Sequence, residues 1–261
     1  MNVNYFRILT AVTVAVLLSG ASALASETDE RIESSAHKSY VFKTYLKDDS
    51  INAKSKEGVV TLTGVVAEES HRSLAQETVA SLPGVKDVDN QLELKEGSAA
   101  ETSDGWIGTQ VKYSLLYNKH VSGLKTQVLV NEGIVTLQGE AETQAQKDLA
   151  GAYAKDIKGV KDVKNEMTLA ETPREPKPTL LEKIDDASIT AQIKIAFLTH
   201  HSTSAFKTGV ETKDGIVTLS GSATSAAAKE MAGKVADDAN GVIKVINNMT
   251  IQDTLLKKQD R

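Results

Sequence analysis

The chain predicts an α+β fold of three tandem α-β-β-α-β modules, each a mixed three-stranded sheet with two helices on one face. Three observations carry this expectation. One phrase is written three times: Glu57-Gly58-Val59-Val60-Thr61-Leu62-Thr63-Gly64, then Glu132-Gly133-Ile134-Val135-Thr136-Leu137-Gln138-Gly139, then Asp214-Gly215-Ile216-Val217-Thr218-Leu219-Ser220-Gly221. A second glycine phrase, opening at Gly84, Gly159 and Gly241, follows each copy at the same distance, since 84 − 64, 159 − 139 and 241 − 221 are all 20. The apolar residues between these landmarks alternate between a helical and an extended period. The repeat spacing, 133 − 58 = 75 and 215 − 133 = 82 residues, is too long for a stacked solenoid. It describes small domains in series.

Each module opens with a helix. Counted back from its terminal leucine, the apolar positions are Val41, Tyr45 and Leu46; Ile107, Val111, Leu115 and Leu116; Ile189, Ile193, Phe197 and Leu198. These spacings put one face on a sheet. In that register the first copy has His37 where the others have Ile107 and Ile189. From terminal leucine to turn glycine there are 58 − 46 = 12 residues in the first copy and 17 in the others (133 − 116 and 215 − 198), which predicts a shorter first connection.

A short alternating strand follows, then a turn at Gly58, Gly133 or Gly215, where glycine admits positive φ. The phrase strand runs back antiparallel and stops at Gly64, Gly139 or Gly221. The second helix lies between the glycine phrases, with Leu74, Ala75, Val79 and Leu82 forming the stripe of the first copy. Thr143 with Gln146 has the form of a capping box. Gly84, Gly159 and Gly241 stand where a left-handed C-terminal cap belongs. The last strand alternates through Asn90, Asn165 and Asn247, amides on its apolar phase that need backbone partners.

The predicted organisation is a signal peptide over 1–25, a flexible leader over 26–33, modules over 34–96, 105–170 and 181–253, linkers over 97–104 and 171–180, and a tail over 254–261. Residues Met1 to Ala25 have one charge, Arg7, an apolar run from Ile8 to Leu18, and Ala23-Leu24-Ala25 at the end. That pattern describes an export signal cleaved after Ala25, with a core too short for a membrane span. No cysteine occurs, so neither lipid attachment at the cleavage site nor a disulfide is expected, and each module must hold by its own core. The second linker contains Pro173, Pro176 and Pro178 and should be extended. The net charge of −5 becomes −6 without Arg7, which argues against nucleic acid as a partner.

No residue set points to catalysis or a cofactor. The glycines stand singly at turns and caps, unlike a phosphate-binding loop. The five histidines, His37, His71, His120, His200 and His201, share no metal-ligand spacing. Serine and histidine form no recognisable nucleophile motif. Trp106 is the only tryptophan. It precedes the core position Ile107, its counterparts by leucine count are Ala36 and Ser188, and an indole with its polar N–H suits either a membrane interface or packing under the preceding linker.

A helix, the phrase [ED]-G-[VI]-V-T-L-x-G, a second helix and G-V-x-x-V-x-N-x-[LM]-x-[LI] together resemble the BON domain, the bacterial OsmY and nodulation family, in three copies over nearly all of the chain after the signal. The resemblance implies an exported, periplasmic protein of a Gram-negative envelope, not an enzyme, that binds phospholipid surfaces and supports envelope integrity or the osmotic stress response. It also implies that the lipid surface lies on the first helix of the second module, where the residues offered are Trp106, Ile107 and Lys112, with Lys119 and Lys125 nearby as headgroup contacts or as an ordinary solvated surface. The alternative is a periplasmic chaperone or protein-interaction module whose partners are envelope or exported proteins, held at sheet edges or apolar grooves. The best-known members carry two copies and some are lipoproteins; this chain has three and no lipid-attachment cysteine.

Overall fold

The computed structural model describes residues 27–96, 103–121, 126–170, 184–203 and 207–251. The signal peptide, most of both linkers, the tail and Lys125 lie outside these residues. The first module contains α1 (27–38), α2 (Tyr40–Thr44), β1 (Ser50–Lys56), β2 (Val59–Val66), α3 (Glu69–Ala80) and β3 (Asp87–Leu94). The second contains α4 (Asp104–Tyr117), β4 (Thr126–Asn131), β5 (Ile134–Ala141), α5 (Gln144–Lys155), β6 (Asp162–Asn165) and β7 (Thr168–Leu169). The third contains α6 (Asp186–Thr199), β8 (Lys207–Lys213), β9 (Ile216–Ala223), α7 (Ala226–Asp237), β10 (Lys244–Asn247) and β11 (Thr250–Ile251).

The fold is α+β with three separate mixed sheets. In each, the phrase strand is central, antiparallel to the strand before it and parallel to the strand after the second helix. Val60 and Leu62, Val135 and Leu137, and Val217 and Leu219 are fully buried under the helices. Two left-handed residues close each hairpin: Glu57 and Gly58 have φ of 55° and 83°, and the two later turns match. This is the two-residue turn whose twist suits a hairpin. The third strand runs unbroken in the first module. In the other two it divides after Asn165 and Asn247, where the next amide, of Glu166 or Asn248, still bonds the central strand at 2.9 Å.

The flexible leader expected over 26–33 is corrected by α1, which starts at residue 27 and buries Ile32 and Ala36. Asp29, Asp104 and Asp186 fix the true register. Each lies 29 residues before its turn glycine (58 − 29, 133 − 104, 215 − 186). Ile32, not His37, therefore corresponds to Ile107 and Ile189, and Arg31 rather than Ala36 corresponds to Trp106; the first connection is still the shortest, 50 − 44 = 6 from helix end to strand start against 126 − 117 = 9 and 207 − 199 = 8, because α2 carries the helix further. Counting from Leu46 failed because the first helix breaks at Ser39 and resumes as α2, with Leu46 beyond its end.

Nor does a single apolar face describe the first helices. Every residue of α6 from Ala187 to Ile193 is buried, as expected of a helix covered on all sides. Ile189, Ile193 and Phe197 fill the core of their own module. Ala187, Ala191 and Ile195 belong to the core of the first, and α3 lies along α6. The three modules share a central layer of helices with their sheets outside it.

Candidate functional site

The carboxylates that open the first helices hold the turns. Asp104 accepts the N–H groups of Glu132 at 2.7 Å and Gly133 at 2.8 Å. Asp29 does the same for Glu57 and Gly58, and Asp186 for Asp214 and Gly215. Two donors that a left-handed turn leaves pointing outward are thereby satisfied by one charged group. In the first module Ser55 Oγ also donates to Asp29, and with the Gly58 amide it holds that carboxyl below its ordinary value. The constant spacing of 29 was the sequence signal for these residues, and the glycine phrases alone did not expose it.

The second and third modules meet about an approximate two-fold axis. Asn118 bridges Ala239 and His200 bridges Ile157 in antiparallel fashion. The two bridges are related by the repeat distance (200 − 118 = 239 − 157 = 82). Tyr117 O accepts from Asn240 N at 2.7 Å, and Thr199 O accepts from Lys158 N at 3.1 Å. The end of each first helix is thus pinned to the end of the other module's second helix.

Side chains at this junction are less symmetric. His200, buried, has Nδ1 3.0 Å from Asp156 Oδ2 and Nε2 2.9 Å from Ser114 Oγ. Burial works to raise the Asp156 pKa, but hydrogen bonds from His200 and Ser202 outweigh it and hold the carboxyl below the ordinary range. At the other end Asp238, equally buried, accepts from Tyr153 OH and Lys234 Nζ, and His120 approaches it at 3.4 Å. Burial, followed by the contact with Asp238, pushes the Tyr153 phenol well above its usual range.

Ser114, His200 and Asp156 are connected in the order of a nucleophile triad, yet the cavity that Ser114 and His200 line is only about 20 Å³. That is room for one water and none for an acyl substrate. Gln192 lines the same cavity at 0% exposure, with neither amide atom hydrogen-bonded. Among the described residues no cluster of His, Asp and Glu has the form of a metal site.

All three modules contribute to one open cleft of about 330 Å³. Glu69, Ser70 and Ser73 come from α3, Trp106 and Gln110 from α4, Ile195 and Leu198 from α6. Trp106 is half-buried, with its amide capped by Ser103 Oγ at 3.2 Å, while Leu198 is 55% exposed at the rim. Lys158 also borders the cleft and donates to the Leu198 carbonyl.

The other residues expected to meet lipid are not brought together with Trp106. Ile107 is 2% exposed and packs beneath Gly159, which corrects its assignment to a lipid surface. Lys112 projects from another side of α4, toward β4. Lys119 pairs with Asp237 at 3.4 Å.

The nine phrase and cap glycines, Gly58, Gly64, Gly84, Gly133, Gly139, Gly159, Gly215, Gly221 and Gly241, all have positive φ. Asn90, Asn165 and Asn247 are half-buried and donate to the carbonyls of Arg72, Lys147 and Lys229 in the second helix of their own module. Each also accepts the amide two residues on. The capping box at Thr143 is half formed. Thr143 Oγ1 accepts Gln146 N, but the Gln146 side chain bonds Glu142 N and His120 O instead of the Thr143 amide.

A family model described as the BON domain matches residues 28–96, 103–171 and 185–253. Among curated proteins, the chain is 32% identical over 126 residues to the osmotically-inducible protein Y of Escherichia coli, covering 47% of this chain and 63% of that one. It is 31% identical to the 21 kDa hemolysin of Actinobacillus pleuropneumoniae, covering 45% and 62%. It is 29% identical over 171 residues to the outer membrane lipoprotein DolP of Haemophilus influenzae, covering 59% and 86%. The matches to the first two therefore span less than two thirds of those relatives.

Proposed function

The chain belongs to the BON domain family, with three copies in tandem, and from that premise we propose that it is an exported, non-catalytic periplasmic protein that attaches to anionic phospholipid of the envelope and supports the response to osmotic stress. The names of two relatives favour this setting, one being osmotically inducible and one an outer membrane lipoprotein. The observation that carries the reading is the mouth of the three-module cleft. There an indole, the exposed Leu198 and the Lys158 ammonium converge, a combination suited to the boundary between acyl chain and headgroup. Attraction at a distance contributes little, because the whole chain is acidic and so is the surface. Binding is consequently weak and depends on insertion of the rim. No described helix is long and apolar enough to cross a membrane.

Vesicle flotation with phosphatidylglycerol, read alongside the emission of the single tryptophan, tests this. The expected result is association and a blue shift, with flotation reduced in Trp106→Ala and both reduced in Leu198→Ser. Full-length protein that neither floats nor shifts at low or high salt would remove the lipid role. A chaperone or protein-interaction role is the second reading, favoured by one feature of the second module described next.

A further inference from the structure

The three modules differ at one position of the first helix, four residues after the clasping aspartate: Glu33, Gly108 and Thr190. That position faces the edge strand three residues before the turn glycine, at Ser55, Val130 and Thr212. In the first module Glu33 Oε1 accepts the Ser55 N–H at 2.9 Å and Oε2 takes Lys54 Nζ at 3.2 Å. In the third, Thr190 Oγ1 donates to Thr212 Oγ1 at 2.7 Å. Both side chains tie the helix to the strand, and Glu33 also occupies the outward amide.

Gly108 has no side chain to do this. A groove of about 460 Å³ runs between α4 and β4, bordered by Gly105, Gly108, Lys112, Gln127 and Leu129. The register Val130↔Val135 repeats Ser55↔Val60, so the Val130 N–H takes the direction in which Ser55 N–H meets its carboxylate. Alternation in an antiparallel pair turns the Val128 N–H the same way. Among the described residues neither amide has a partner outside the sheet, and β4 pairs only with β5. Asp104 also borders the groove, but its two oxygens are engaged by the turn. Lys112, one turn beyond Gly108, is exposed and has no ion-pair partner among the described residues.

We propose that this groove is a docking site for an extended acidic peptide segment, which adds to the free edge of β4 and sets a carboxylate against the Val130 amide and Lys112. The Glu33 carboxylate on the Ser55 amide shows the chemistry within this same chain. Strand addition beside a helix supplies main-chain bonds for affinity and a groove for alternate side chains. The cation selects an acidic residue. The site is separate from the cleft at Trp106 and does not depend on lipid binding.

The test uses the full chain and a short peptide alternating threonine and valine and ending in aspartate, with a lysine-ended peptide as control. Amide NMR is expected to show saturable shifts centred on Val128 and Val130, and fluorescence anisotropy to favour the acidic peptide. Gly108→Glu with Val130→Ser transplants the covering pair of the first module, and Gly108→Thr with Val130→Thr that of the third. Each should weaken binding by about tenfold or more, the loss of a charge-assisted bond, with the melting temperature held or raised because glycine leaves a helix. Lys112→Glu should weaken the acidic peptide and spare the control. Equal binding by both transplants, or shifts spread evenly over β1 and β8, would overturn the proposal. So would a Lys112→Glu variant that loses vesicles while the peptide moves no β4 amide, which would give the groove to lipid.

Discussion

The Asp185 carboxylate accepts the amide N–H of Tyr40, 145 residues away in the chain, at 2.7 Å. The first helix breaks at Ser39, which frees the Tyr40 and Val41 amides, and the third module catches both, the second through Ser188 Oγ at 3.1 Å. Asp185 meanwhile caps its own helix at Ser188. Asp185→Ala is expected to lower the stability of the first module's attachment by about 2 kcal/mol, as for loss of bonds to a charged acceptor. Urea unfolding followed by the amides of residues 40–44 measures it. An unchanged midpoint would show that the break at Ser39 is satisfied some other way.

Ile195 belongs to α6 yet fills the core of the first module, beside Ala187 and Ala191. Ile195→Ala is expected to cost about 2–5 kcal/mol, the range for truncating a buried aliphatic side chain. The loss should appear in calorimetry as an early transition of the first module, with the pair of later modules melting near its original temperature. One undivided, uniformly lowered peak would contradict that placement.

Gly64 sits at φ +124°, and a Cβ built there would lie 1.9 Å from the Ser50 carbonyl oxygen. Backbone cannot yield as a flexible side chain does. Gly64→Ala is therefore expected to unpair β1 from β2 and destabilise the first module by more than about 3 kcal/mol, adding strain at a left-handed site to a steric clash. Loss of the cross-strand proton contacts between Ile51 and Gly64 in NMR is the readout. Native melting would reject it.

Acid should destabilise the first module. The Asp29 carboxyl is held below its usual 3.8, chiefly by the Ser55 hydroxyl, and that of Glu33 below its usual 4.5, chiefly by the Ser55 amide. A carboxylate with a lowered folded pKa contributes stability that is present above the unfolded value and lost as pH falls through the folded one. Stability should hold from neutrality to about pH 5 and decline below it, with a shallower decline in Asp29→Asn and Glu33→Gln. Both groups are only half-buried, so the difference is small. Parallel acid profiles would place the sensitivity elsewhere.

The sequence was legible wherever backbone geometry demanded one residue type. Left-handed turns require glycine or a tolerant acidic neighbour, so Glu57-Gly58 and its copies marked the hairpins. Alternation through Val60 and Leu62 marked the central strand. In the first helix of the first module Leu46 looks like a helix end, whereas the register depends on Asp29, a polar residue among other acidic ones. The shared helical layer was hidden for another reason. Ala191, Gln192 and Ile195 look like an ordinary solvent-side mixture, and nothing local distinguishes a face that covers another module. At the candidate sites, Trp106 stood out by composition alone. Its cleft partners Ser70 and Leu198 come from other modules, and the groove at Gly108 emerges only when one copy is laid over the others.

Because the segment from Ala187 to Ile193 is buried where the three copies meet, the order of synthesis matters. A chain emerging from its N-terminus presents the surfaces of its first two units before their common support has arrived. Maturation must wait for the last third, and shortening the protein by one repeat would leave an unfinished assembly where a simple array would have left a smaller one.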